Sequence, residues 1–286
     1  MAKKKTIDED KAVARLKRAT AYKVAYKDRD FLDSGYARPL RLQAELMKTE
    51  LGMRHNRISS TIVVFGGTRI VEPAEARQKA KQAEAALKKR PKDPILKRRL
   101  KIARSIEEKS VFYDEAREFG RLVSTEEQNN EQNEYVIITG GGPGIMEAAN
   151  RGAFEVGAKS AGLNITLPLE QEPNPYITPE LCFQFHYFAI RKMHFLLRAK
   201  ALVAFPGGYG TLDELFEALT LVQTQKTRSL PIVLFGEKFW RNLINFAYLV
   251  EQGTIAEEDI ELFVFADKAA DAWDYIKYFW QAKSFE

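Results

Sequence analysis

One cysteine in 286 residues, Cys182, leaves an internal disulfide nothing to pair with, so a reducing compartment and a cytoplasmic location are expected. Cys182 sits between Leu181 and Phe183 without an evident base beside it, and it reads as a small buried hydrophobe. Histidine is scarce as well. His55, His186 and His194 are the only three, and none stands at ligand spacing from carboxylates, so no metal is expected. Long apolar runs are absent. Nothing approaches the ~20 residues a bilayer span needs, which excludes a membrane partner of that kind. The basic start, Met1 to Lys5, runs directly into Thr6-Ile7-Asp8-Glu9-Asp10, so no secretory signal is expected.

What is present suffices for a large core: 45% of residues are apolar and 11% aromatic. The net charge of +5 is unevenly spread. Between Arg77 and Lys109 stand 13 Lys or Arg against 4 Asp or Glu, leaving 31 basic and 35 acidic of the chain's 44 and 39. The basic character therefore belongs to one segment. That segment holds no aromatic residue on which a base could stack, so a nucleic-acid partner is not expected.

Short apolar runs bounded by Gly or Pro recur at 61–65, 135–139, 160–167, 201–205, 231–235 and 262–265. Several lack alternation, as strands buried on both faces do. Helical patterns at 145–156, 190–200 and 212–223 lie between them. Strand–helix alternation predicts an α/β fold with a parallel sheet and right-handed crossovers. Residues 1–58 precede the first strand and form a helical extension, best marked at 10–18 and 40–51; residues 59–286 form the sheet domain. Within it, 74–112 reads as a helical hairpin broken at Pro91 and Pro94, inserted after the first strand. A solvated surface insertion is its plain reading, and a partner contact the sharper one.

Three glycine loops follow predicted strands. The strongest runs Phe205-Pro206-Gly207-Gly208-Tyr209-Gly210-Thr211-Leu212-Asp213-Glu214 and opens a helix, with Thr211 at the expected N-cap. Glycines there let peptide N–H groups approach a phosphate, and the helix N-terminus adds its dipole. The second is Gly140-Gly141-Gly142-Pro143-Gly144-Ile145-Met146-Glu147, and the third Phe65-Gly66-Gly67-Thr68-Arg69. The second loop does not follow the dinucleotide pattern. Glu147 stands where a third glycine belongs, and the next strand ends in Leu167-Pro168 without a ribose-binding acid. No loop ends in Gly-Lys-Ser/Thr. A mononucleotide fits these loops better than NAD or ATP, and loops at the carboxyl ends of strands are where open α/β sheets bind ligands. Ahead of the strongest loop stands Phe185-His186-Tyr187-Phe188-Ala189-Ile190-Arg191-Lys192-Met193, with Arg191 and Lys192 opening a helix.

An Arg-Lys pair ahead of Pro-Gly-Gly-x-Gly-Thr-x-x-Glu, with Gly-Gly-Gly-x-Gly-x-Met upstream, resembles the Lonely Guy family of cytokinin-activating phosphoribohydrolases and its bacterial nucleotide-nucleosidase relatives. The similarity spans roughly 60–267. It implies a Rossmann-like open parallel sheet flanked by helices, no cofactor, and at least a homodimer. It also implies hydrolysis of the base–ribose bond of an AMP-like nucleoside 5′-monophosphate, with a non-catalytic nucleotide sensor on the same fold as the alternative. Plant-like members carry a His two residues before the Arg-Lys pair, where this chain has Ala189, so base preference is left open. The label of lysine decarboxylase often given to such proteins finds no Schiff-base lysine with a partner acid here.

The resemblance assigns Arg191 and Glu214 as the catalytic pair. Glu214 can hold ribose hydroxyls or a water while its charge favours an oxocarbenium-like transition state. Arg191 keeps its proton and serves by charge and orientation. Gly207, Gly208, Gly210 and Thr211 are expected to hold the phosphate, and Gly141, Gly142, Gly144 and Glu147 to line the sugar or base. Lys192, Gly67 and Thr68 complete the expected nucleotide site.

Overall fold

The computed structural model describes residues 7–126, 132–168 and 172–283. The chain divides into two compact units, Met1–Lys48 and Thr49–Glu286, and the division falls within one helix. In the first unit, α1 (Glu9–Arg18) is capped by the Asp8 carboxylate, which accepts from the Lys11 N–H, and α2 (Arg29–Asp33) by Asp28 in the same way. The start of α3 (Arg38–His55) is tied to α2 by Arg41, which donates to the carbonyls of Leu32 and Ser34.

The second unit is built on a seven-stranded sheet: β1 (Thr61–Phe65), β2 (Val136–Thr139), β3 (Ser160–Ile165), β4 (Cys182–Phe185), β5 (Ala199–Ala204), β6 (Ile232–Phe235) and β7 (Phe263–Ala266). Their spatial order is β4-β3-β2-β1-β5-β6-β7, and every adjacent pair is parallel. All five residues of β1 are buried, as the unbroken apolar run predicts for a strand covered on both faces. Alternate strand residues feed two cores. Val63, Ile138, Leu202 and Leu234 pack with α8 (Phe188–Leu197), α9 (Tyr209–Gln223) and Trp240 of α10 (Glu237–Leu243). Ile62, Ile137, Val203 and Val233 pack with α6 (Val111–Ser124), α7 (Ile145–Glu155) and α12 (Ala269–Lys283). A short α11 (Phe246–Glu251) precedes β7.

The Rossmann-like parallel sheet flanked by helices is thus the observed fold. The inserted segment forms α4 (Pro73–Lys89) and α5 (Pro94–Lys109), with Pro73 and Pro94 inside the first turns, where a missing N–H costs nothing. Asp93 caps α5 by accepting from the Ile95 and Leu96 N–H groups at 2.9 and 3.1 Å. Leu96 and Leu100 are buried on α5, as are Ala76 and Ala80 on α4.

Two readings of Cys182 need correction. The strand β4 that contains it was not expected, and the thiol is exposed rather than buried. The strand alternates, with Phe183 and Phe185 inward in the core and Cys182 and Gln184 outward, so only one of its two faces is covered. The helix expected over 190–200 also ends earlier, since Ala199 and Lys200 already belong to β5. No helix among the described residues is long and apolar enough to cross a membrane.

Candidate active site

From β1 the chain builds β2, β3 and β4 outward on one side, then returns to lay β5 against the other side of β1. The strand order reverses between β1 and β5, and it is outside the carboxyl ends at such a switch point that open α/β sheets place their ligand crevice. The glycine loops after β1, β2 and β5 meet there. The Gly67 N–H donates to the Pro206 carbonyl at 2.9 Å, and the Ile145 N–H donates to the Gly67 carbonyl at 3.3 Å. Gly67 therefore bridges the other two loops.

Glycine is required at two of these points. Gly144, the residue before α7, has φ +75°, and a Cβ there would collide with the Gly67 carbonyl and the Thr68 backbone. At Gly207 a Cβ would occupy the place of the Thr211 side chain. The expectation that Thr211 caps α9 is corrected by the same geometry. Gly208 is the cap residue, Thr211 lies inside the first turn, and its side chain folds back on Gly207 at 6% exposure. With no side-chain cap at Gly208, the first N–H groups of α9 are left for an anion. Gly208 and Gly210 are exposed at this end.

The second loop is pinned from below by residues that the motifs did not reveal. The Asn174 side chain donates to the carbonyls of Gly141 and Gly142 at 3.2 and 3.1 Å, and to Asn150 Oδ1 at 3.0 Å. Asn150 Oδ1 also accepts from the Thr139 hydroxyl at 2.7 Å, and Thr139 in turn accepts from the Gly141 N–H at 3.0 Å. Asn174 lies in Pro173-Asn174-Pro175, a turn signal that marks a special loop without revealing what it holds. Glu147 is turned toward α6, where it accepts from the Tyr113 hydroxyl at 2.9 Å.

Arg191 and Glu214 come from α8 and α9. The helix α8 starts at Phe188, so Arg191 stands at the end of its first turn and not at its opening. Its Nε donates to the Leu163 carbonyl at 2.6 Å and its guanidinium carbon lies 5.1 Å from the centre of the Phe195 ring. A Cβ on Gly140 would come within 2.6 Å of Arg191 Nη2, so the guanidinium reaches the second loop. Burial lowers the Arg191 pKa, and the neighbouring charge of Glu214 opposes that shift. Glu214 is 7% exposed, and no hydrogen bond or ion pair to its carboxyl is formed among the described residues. Burial raises its pKa to about 7 despite the pull of Lys192 and Arg191. Lys192 is engaged elsewhere on α9, at 3.0 Å from Asp213 and 2.9 Å from Glu217. Burial depresses the Lys192 pKa, but those two carboxylates outweigh it and the balance is upward. Thr68 is exposed at the outer lip of the first loop. Among the described residues, no group of three or more His, Cys, Asp or Glu could hold a metal ion.

The arrangement can hold an anion on loop and helix N–H groups. It also sets a carboxyl that titrates near neutrality beside a fixed cation. Comparison with known proteins accords with the resemblance read from the motifs. The family profile described as "Possible lysine decarboxylase" matches residues 146–276. A probable cytokinin riboside 5′-monophosphate phosphoribohydrolase of Oryza sativa subsp. japonica is 28% identical over 145 residues, 49% of this chain and 61% of that protein. The pyrimidine/purine nucleotide 5′-monophosphate nucleosidase of Escherichia coli (strain K12) is 31% identical over 144 residues, 47% of this chain and 29% of that protein. The matches thus span less than two thirds of either relative's length. Among solved structures, the molybdenum cofactor binding protein of Rippkaea orientalis is similar at 18% identity with a TM-score of 0.43, covering 77% of this chain and 97% of that one.

Proposed function

We propose that the crevice at β1 and β5 binds a nucleoside 5′-monophosphate and hydrolyses its N-glycosidic bond, releasing the free base and ribose 5-phosphate. The observation that carries this reading is Glu214, a buried carboxyl with a pKa near 7, set against the Arg191 guanidinium beside the glycine loops. Such pairing of desolvation with a specific charge partner in a cleft is typical of catalytic groups. The phosphate sits on the first turn of α9 and the Gly207–Gly208 backbone. That places the ribose toward Glu214. As the bond to the base stretches, positive charge grows on the ribose, and the Glu214 carboxylate stabilises it while taking a proton from the attacking water. Oxygen of that water becomes the C1′ hydroxyl and its proton leaves with the base. Arg191 keeps its proton at any physiological pH and orients the phosphate or leaving base by charge. Gly141, Gly142 and Gly144 line the base side.

The reading extends to assembly and place. Phe188, Met193 and Leu197 on α8 and Tyr209 and Phe216 on α9 are exposed apolar side chains, with Tyr209 at 92%. A patch of that composition on two neighbouring helices supports a homodimer. A single cysteine supports a cytoplasmic enzyme.

Incubation with AMP, followed by chromatography for adenine and ribose 5-phosphate, tests the activity directly. AMP is expected to be a far better substrate than adenosine, because each charge-assisted hydrogen bond to phosphate is worth about 1.5–3 kcal/mol. Tight AMP binding without adenine release identifies a nucleotide sensor instead, and equal efficiency on adenosine removes the phosphate grip.

A further inference from the structure

Outside the crevice, the first glycine loop has a second side. A cavity of about 330 Å³ is lined there by Thr68, Arg69 and Val71 from the loop, Lys79 from α4, and Arg99, Ile102, Ala103 and Ile106 from α5. The helical insertion, which the hydrolytic reading leaves without a task, therefore forms one wall of a pocket whose other wall is the loop that bridges the glycine motifs.

The way α5 is patterned explains how it reaches that position. Leu96 and Leu100 are its buried residues and lie one turn apart on one face. Arg99, Ile102, Ala103 and Ile106 recur at i, i+3, i+4 and i+7, so they form a second stripe beside the first. Ile102 is 45% exposed, an apolar side chain held at the cavity with nothing covering it.

The charge is one-sided. Three of the eight lining residues are cationic and none is acidic. On the rest of the insertion, Lys88 pairs with Glu84 and Arg90 with Asp93, but its cations outnumber its acids. Lys79 pairs with Glu75 at 2.6 Å, but Arg69 and Arg99 form no ion pair among the described residues. Two uncommitted guanidinium groups facing one small pocket suit a phosphate or carboxylate, which arginine's planar fork binds through two parallel hydrogen bonds.

We propose that this cavity is an anion subsite built by the insertion, and that it takes a second anionic group on the nucleotide held in the crevice. The inference rests on the nucleotide reading above. Val71, Ile102 and Ile106 cover the neutral linker, and Arg69 and Arg99 hold the charge. A volume of about 330 Å³ has room for a phosphate or carboxylate together with the group that carries it. The second group is either a phosphate on the ribose or a carboxylate on the base.

Calorimetric titration of the full chain with AMP, adenosine 3′,5′-bisphosphate and adenylosuccinate separates these sources, and it reads binding whether or not hydrolysis occurs. One of the two doubly anionic probes is expected to bind at least ~10-fold tighter than AMP, and Arg99→Ala is expected to abolish that advantage while leaving AMP affinity unchanged. Arg99→Gln, closer in size, is expected to behave the same way. Far-ultraviolet circular dichroism confirms that both variants keep their helices. The proposal is overturned if neither probe exceeds AMP, or if the advantage survives in both Arg99 variants. Failure of AMP itself to bind strikes the nucleotide reading, and absence of adenine release strikes the hydrolysis alone.

Discussion

Replacing Glu214 by Gln should make the folded protein more stable above neutral pH while removing its activity. Glutamine keeps the size and hydrogen-bonding outline of the protonated carboxyl but cannot ionise. In the folded chain, burial holds the Glu214 pKa at about 7 against an ordinary value of 4.5. The folded state therefore grips this proton more tightly than the unfolded state does, and ionisation at higher pH favours unfolding. Stability contributed by the neutral carboxyl is complete below pH 4.5, declines as pH rises toward 7, and is lost above it. A displacement of that size corresponds to about 3 kcal/mol, and at 7% exposure solvent screens little of it. The attraction of Arg191 and Lys192 for the carboxylate is already contained in the value, so burial still wins with both cations present. Urea denaturation of wild type and Glu214→Gln from pH 4 to 9 is the assay. The curves should coincide near pH 4, separate between 4.5 and 7, and run parallel above 7, with the variant ahead by about 3 kcal/mol, or about 5–10 °C in melting temperature. A variant less stable than wild type at pH 8, or an offset independent of pH, would refute the reasoning and mean that the carboxylate is compensated in the fold.

The same titration sets the pH dependence of turnover: if the carboxylate is the working form, kcat/KM rises through pH 7 to a plateau, and a flat profile from pH 5 to 9 counts against it. Arg191→Ala and Glu214→Ala should each lower turnover about 100- to 1000-fold with the fold intact, and a folded variant with wild-type turnover removes that residue from catalysis. Asn174→Ala removes four side-chain hydrogen bonds, two of them to carbonyls of the second loop, and should cost about 1–3 kcal/mol of stability and raise KM more than it lowers kcat; an unchanged KM would show that the loop holds its shape without it. Light scattering should report at least twice the chain's 32.6 kDa, and a monomeric mass at assay concentration rules out the dimer.

The six strands read as apolar runs all exist, because a parallel strand covered on both faces leaves a contiguous apolar signature. The strand at Cys182–Phe185 leaves no such signature, because it is only four residues long, lies at an edge, and buries alternate positions only. The cap of α9 falls at Gly208 and not at Thr211 for a related reason. Sequence names a residue type that caps helices, but whether the helix starts there depends on where the preceding glycines let the backbone turn. Asn174 was invisible because its partners, Gly141, Gly142 and Asn150, are 24 to 33 residues away in the chain.

The two catalytic candidates were found by motif, yet periodicity alone carries a second trace of them. On α9 the buried residues are Thr211, Glu214, Leu215, Ala218 and Val222, a helical stripe in which one of the five is an acid. On α8, Arg191 is one turn from His194 and Phe195, the two residues that helix buries, so a cation sits at the head of that stripe. A charged residue on a core-facing stripe is expensive unless it is matched, and here a carboxyl and a guanidinium from two helices occupy such positions toward each other. Glu214 is not fully matched, and its pKa near 7 shows it. An ion pair serving stability alone would depress the carboxyl's pKa, as Arg198 does for Glu50, which falls to about 2. Within one unit, Glu50 is held by its cation and Glu214 is not, and the proposed catalytic role of Glu214 rests on that contrast.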